Sequence, residues 1–219
     1  MRRAQRRPIV VYTDAMYEKD STIAAQVGIV IYDPEAPEYI SGVSADDSSI
    51  NYRWRHASGV VSPEQLAAFK PRKNYIGQLE ALACVLPYTS RPEQFRDRHV
   101  IHFVDNTGAL VGLSKGYSRD IDSARLSHFF HVIASALGAN VWWEWVASGA
   151  NISDLPSRGE YKKLLSMGSV QFDIVWPDLG VAWSDSFVTA YSKYAPKMSR
   201  STGKFRAAIA RAIEKIRPS

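Results

Sequence analysis

VVYTDAMYE, residues 10–18, ends an apolar run on an acid: Ile9, Val10 and Val11 suit a buried strand over 8–12, and Asp14 follows it. VIHFVDNTGAL, residues 100–110, repeats the pattern, with a strand expected over 100–104 and Asp105 after it. Taken singly, each acid has an ordinary alternative. Asp14 suits the opening of a turn, and Asp105 suits the N-cap of the helical pattern that follows it. The residues alone leave both roles open.

Two further acids lie on helical patterns. A helix expected over 74–87 has Tyr75, Ile76, Leu79, Leu82, Ala83 and Leu86 as its core stripe, with Glu80 at the stripe's edge rather than on the outer side with Gln78 and Ala81. Asp154 follows Asn151 by three residues, a spacing that also fits capping, with an acid in the first turn set against the helix dipole. If the strands over 8–12 and 100–104 are neighbours, the four acids converge at the carboxyl ends of strands, where open α/β sheets gather their ligands.

YTDA at 12–15, QLEALA at 78–83, VDNTGAL at 104–110 and NISDLPSR at 151–158 together resemble the ribonuclease H domains, especially those of reverse-transcribing elements. The resemblance runs from Pro8 to Tyr161, and its last motif is similar to the N-x-x-D-x-x-S-R ending of the retroelement domains. It implies an α/β ribonuclease H-like fold, a central mixed sheet of about five strands flanked by helices. It also implies cleavage of the RNA strand of RNA/DNA hybrids, leaving 5′-phosphate and 3′-hydroxyl ends, with Asp14, Glu80, Asp105 and Asp154 as the catalytic acids.

Such a site needs carboxylates and no nucleophilic side chain. Phosphodiester hydrolysis requires an activated water and a stabilised leaving oxygen, and two divalent ions roughly 4 Å apart supply both. Carboxylate oxygens suit hard Mg²⁺, with Mn²⁺ as a substitute. The resemblance implies that Asp14 bridges the two ions, Glu80 and Asp105 hold one, and Asp154 holds the other. Without metal, such clustered acids repel and raise one another's pKa. The candidate substrate contacts are Asn74, Gln78, Asn106, Thr107, Asn151 and Arg158, for several of which helix capping and solvation stay open.

The sequence also departs from the family. Many cellular members carry a histidine in the loop before the last acid, where this chain has Ala147, Ser148, Gly149 and Ala150. Polar residues that read 2′-hydroxyls in many relatives are here Ile76 and Gly77. A DNA-cutting nuclease of the same fold, such as a resolvase or exonuclease, and a non-catalytic nucleic-acid-binding module are therefore the alternatives. No Y-x-D-D-like polymerase motif is present, so a reverse transcriptase or a longer polyprotein is expected as a partner or parent rather than as an activity of the chain.

The 219 residues, 46% of them hydrophobic, suffice for one catalytic domain, expected over 8–168, between a basic arm over 1–7 and an extension over 169–219. The lone Cys84 excludes an internal disulfide and a cysteine-rich zinc module, and reads as core. His128 and His131 lack a third zinc ligand at matching spacing. No apolar run approaches the roughly 18 residues of a membrane helix, and MRRAQRRP lacks a secretory apolar stretch, so a cytoplasmic or nuclear setting away from membranes is expected.

Charge is uneven. Residues 1–7 carry +4 and residues 192–219 carry +7, which leaves −6 between them within a net +5. The basic ends suit a phosphate backbone, with solubilising tails as the alternative. Phe205, Ala208, Ile209, Ala212, Ile213 and Ile216 make one stripe of a basic amphipathic helix expected over 204–217.

Other elements follow from local signals. VGIVIY reads as the centre of a second strand over 25–32, and a third strand falls between Tyr39 and Val61. Ser62 and Pro63 start a short helix that stops before Pro71. Helices are expected over 106–115 and 122–137, with Gly138 as the C-cap of the second. A fifth strand over 141–146 carries Trp142, Trp143 and Trp145. Strand alternation turns at least one of these inward, and core packing is the expected role for most. Phe172, Ile174 and Trp176 alternate as an edge strand or a packed extended arm would.

Overall fold

The computed structural model describes residues 6–19, 21–39 and 52–182. The chain opens with β1 (Ile9–Tyr17), β2 (Ala25–Tyr32) and β3 (Trp54–Val60), an antiparallel meander in which Asp14 stands opposite Gly28 and Gly28 opposite Ser58. β1 is longer than expected, so Asp14 lies within the strand and opens no turn.

α1 (Pro63–Ala67) follows, and its start is the one the sequence signals. Ser62 accepts from the Gln65 amide while the Gln65 side chain accepts from the Ser62 amide, a complete capping box with proline at the first helical position. α2 (Ile76–Ser90) carries Glu80 and runs three residues past Pro87, beyond its expected end. It is also less amphipathic than expected: Gln78 and Ala81, assigned to an outer side, are buried like every residue from 78 to 89. α2 is a central helix, packed between the sheet and its helical neighbours.

α3 (Pro92–Phe95) leads into β4 (His99–Val104), which runs parallel to β1 with Tyr12 opposite Phe103. The condition for the acids to converge, that these two strands be neighbours, is met. α4 (Thr107–Lys115) and α5 (Ile121–Leu137) come next, and α5 stops at Gly138, whose φ of 67° is the left-handed conformation that glycine adopts without strain. β5 (Asn140–Trp145) is parallel to β4 at one edge of the sheet. A 3₁₀ turn (Ser148–Ala150) then leads to α6 (Asp154–Ser157), α7 (Lys162–Ser166), β6 (Val170–Gln171) and α8 (Leu179–Ala182).

The result is the expected mixed sheet flanked by helices, with six strands among the described residues in the order β5-β4-β1-β2-β3-β6. The sixth is the two-residue β6 beside β3, too short for alternation to reveal. Beyond it the chain is an extended arm: Phe172 is buried, and Ile174 and Trp176 pack on the core and close over Gly59 of β3. Arg98 and Asp33, both buried, form a two-bond ion pair at 2.9 and 3.2 Å between the residues flanking β4 and β2. No helix among the described residues is long and apolar enough to cross a membrane. The basic helix expected over 204–217, most of the arm over 1–7 and residues 40–51 lie outside the described residues.

One expectation is corrected on β5. Trp143 packs inward against His102 and Phe130, but Trp142 and Trp145 are 68% and 51% exposed. An edge strand has no neighbour to cover its outer side chains, so most of these tryptophans are not core.

Candidate active site

Asp14, Glu80 and Asp105 come together where β1, β4 and α2 meet, each offering a carboxylate oxygen within 4.8 Å of the others. Asp14 and Glu80 are buried and Asp105 is partly so. One oxygen of Glu80, Oε2, and one of Asp105, Oδ1, are buried without a hydrogen-bond partner. Buried polar atoms are otherwise nearly always paired. Three carboxylates gathered this closely, two of them with a buried oxygen that has no partner, are the donor set that a hard divalent cation takes.

Burial raises the pKa of Glu80 to about 9, and the charges of Asp14 and Asp105 push the same way against the Ala15 amide. Asp14 rises to about 6, chiefly through burial, with the hydrogen bond from Ser157 opposing and the charges of Asp105 and Asp154 adding. The expected mutual perturbation is therefore present at two of the four acids.

Asp154 stands at the start of α6, outside the close triad, and its Oδ1 accepts from Arg158 Nε at 2.7 Å. α6 reaches the acids because of one glycine. A Cβ on Gly28 would lie 2.3 Å from the Ser153 carbonyl oxygen and 2.4 Å from the Ser157 nitrogen, so α6 rests directly on the backbone of β2. This contact puts fully buried Ser157 against Asp14, where its hydroxyl donates to Oδ2. Gln26 Nε2 secures the same helix by donating to the Pro156 carbonyl at 3.1 Å. Neither Ser157 nor Gly28 stood among the candidate residues, although Ser157 occupies the serine of the NISDLPSR motif.

A buried polar chain underlies the acids. Thr13, beside Asp14, lies 3.2 Å from Cys84 Sγ and 3.0 Å from His102 Nε2, and His102 Nδ1 lies 3.1 Å from the Tyr88 hydroxyl. Complete burial lowers the His102 pKa to about 3, so the ring is neutral and relays hydrogen bonds without adding charge beside the acids.

The six candidate substrate contacts divide. Thr107 is exposed at the first turn of α4, and Arg158 is exposed beside Asp154. Asn106 caps α4 by accepting from the Ala109 amide at 3.0 Å, and Asn74 accepts from the Ile76 amide at 2.8 Å at the start of α2. Gln78 is buried and donates to Asp120 at 3.0 Å, tying α2 to the cap of α5. Asn151, also buried, donates to the Thr13 carbonyl at 3.1 Å and accepts from Ser153, fastening the approach to α6 onto β1. His131 Nε2 lies 2.8 Å from the Leu113 carbonyl oxygen, and no metal-ligating cluster among the described residues includes either helix histidine.

No family model and no curated protein matches the sequence. Among solved structures, the chain is similar to an RNase H1 from the halophilic archaeon Halobacterium salinarum, at 13% identity over 71% of this chain and 98% of that one, with a TM-score of 0.47. It is also similar to the N-terminal RNase H domain of a Mycobacterium tuberculosis protein, solved as a fusion with maltose binding protein, at 13% identity over 73% of this chain and 96% of that one, with a TM-score of 0.46.

Proposed function

We propose that the chain is a metal-dependent endoribonuclease that hydrolyses the RNA strand of RNA/DNA hybrids, leaving 5′-phosphate and 3′-hydroxyl ends. The observation that supports this most is the triad of Asp14, Glu80 and Asp105 with its two unpaired buried oxygens. Asp14, Glu80 and Asp105 would hold one Mg²⁺, and Asp14 with Asp154 a second. When bound, the ions supply an activated water and a stabilised leaving oxygen.

The protein's own groups prepare that site. Ser157 holds one oxygen of Asp14 in place, leaving the carboxylate's other oxygen for ligation. Arg158 holds Asp154 and adds a positive charge at the rim for a phosphate. Burial of Glu80 keeps water off the triad's inner side. The basic stretches at both ends add a salt-sensitive attraction for the nucleic-acid backbone.

A DNA-cutting activity is the second reading, and a specific observation favours it: Gln78 is buried and its amide donates to Asp120, so it is not free to select a 2′-hydroxyl. One experiment separates the readings. A labelled RNA strand is presented as RNA/DNA hybrid, RNA duplex and single strand, beside a DNA duplex, in Mg²⁺ or Mn²⁺ and with Asp105→Asn as control. Cutting confined to the hybrid and lost in the control is the expected result. Cutting of the DNA duplex selects the second reading, and binding without cutting in either metal removes the enzymatic one.

A further inference from the structure

A cavity of about 350 Å³ opens beside Asp154, on the sheet face that carries α6. Tyr12 and Trp54 form its aromatic floor, Ile152 and Leu155 line it with apolar surface, and Lys163 and Asp154 stand with them around it. The register places the floor. Tyr12 lies two residues from Asp14 on β1 and so projects from the same face, about 7 Å away at the rise of a strand. Trp54 pairs with Tyr32, four residues along β2 from Gly28, and therefore shares that face.

Both rings are held in advance. Tyr12 stacks on Phe103 with centroids 4.8 Å apart and planes 10° apart, and Trp54 packs on Tyr32 at 4.5 Å. Rings supported in this way lose little freedom when another flat group stacks on them. Lys163 is exposed and brings a cation, while the charge of Asp154 is already offset by Arg158. Aromatic surface, apolar walls and one cation fit a nucleobase with its phosphate. The volume is at the small end of ligand pockets and does not suit a duplex.

We propose that this pocket binds one unpaired nucleotide of the strand being cut, next to the acid cluster, so that the protein favours sites where a hybrid gives way to single-stranded RNA. The proposal rests on the hybrid-cutting reading and adds the form of substrate. A paired base would first have to leave its stack, whereas a base already beyond the duplex end enters without that penalty. The shared Asp154 makes the pocket continuous with the proposed cleavage site.

The test is fluorescence anisotropy in EDTA with a labelled RNA/DNA hybrid that is blunt, or extended by a few unpaired RNA nucleotides at its 5′ or its 3′ end. One of the extended hybrids is expected to bind roughly tenfold more tightly than the blunt one, the scale of a single base–aromatic stack. Trp54→Ala and Lys163→Ala should each bring that ratio toward one; Lys163 is exposed, so its removal leaves the core intact. Equal binding of all three hybrids, or a ratio that neither substitution alters, overturns the proposal. Cleavage of the blunt hybrid in Mg²⁺ by the same preparation reports on the hydrolase reading separately, so the two failures cannot be confused.

Discussion

Ser157 shows how much one hydroxyl contributes here, because its partner is a buried carboxylate with few other donors. Removing it leaves Asp14 with one less stabilising bond to its charged form, and a metal must then compete with a more tightly held proton. Groups that orient a metal ligand are typically worth 10- to 100-fold in metal affinity, so Ser157→Ala should weaken Mn²⁺ binding by roughly that factor. Calorimetric titration at fixed pH measures it, and an unchanged affinity would mean that the hydroxyl does not position Asp14. The positions of Asp14, Glu80 and Asp105 stand out locally, as acid after apolar run or beside apolar stripe, while their joint role is what the resemblance of the motifs implies. Asn151 and Gln78 were not legible in the same way: both are polar and near the acids in sequence, yet their side chains bond to Thr13 and Asp120, 138 and 42 residues away. A sequence shows that a side chain can make a hydrogen bond, but not whether ligand or protein receives it.

Among the elements, α6 is the one the site depends on, and it is four residues long. Such a helix has little stability of its own; contact with β2 and β1 holds it. Gly28→Ala sets a methyl group against backbone atoms that have no rotamer to escape into. Overpacking of this kind costs about 1–3 kcal/mol, and the shift of α6 also draws Ser157 and Asp154 away from Asp14. Metal affinity in Gly28→Ala should therefore fall even where the protein stays folded, as melting and Mn²⁺ titration run in parallel would show; a variant that melts lower but binds metal normally refutes the coupling. The Arg98–Asp33 pair acts on a larger unit, tying β2 to β4 across β1. Asp33→Ala strands a buried guanidinium and should lower stability by about 3–5 kcal/mol in denaturant unfolding, while a loss under 1 kcal/mol would mean that water reaches the pair. β2 was legible from its apolar run, but not what rests on Gly28, since that contact spans more than a hundred residues of sequence.

For the molecule as a whole, the balance of charge ties stability to pH through the same acids. Glu80 and Asp14 have folded-state pKa values raised to about 9 and about 6, from ordinary values of 4.5 and 3.8. Between the ordinary and the raised values, the folded protein holds protons that the unfolded chain has released, so stability falls as pH rises. The Asp14 contribution is gone by about pH 6, and that of Glu80 continues to fall until about pH 9. Metal ligation works in the opposite direction, because it requires the carboxylates deprotonated and shields their charges from one another. The metal-free protein should thus melt at progressively lower temperature from about pH 6 to about pH 9, while the rise in melting temperature produced by Mg²⁺ grows over the same interval. Glu80→Gln, neutral at every pH and nearly the same shape, should flatten the metal-free decline, melt above the wild type near pH 9 and lose most of the Mg²⁺ response. Differential scanning fluorimetry in EDTA and in Mg²⁺ across that range measures all three effects. A metal-free melting temperature that stays level in the wild type would mean that Glu80 ionises as an ordinary solvated acid, and the triad would then lose its claim to be a buried site awaiting a cation.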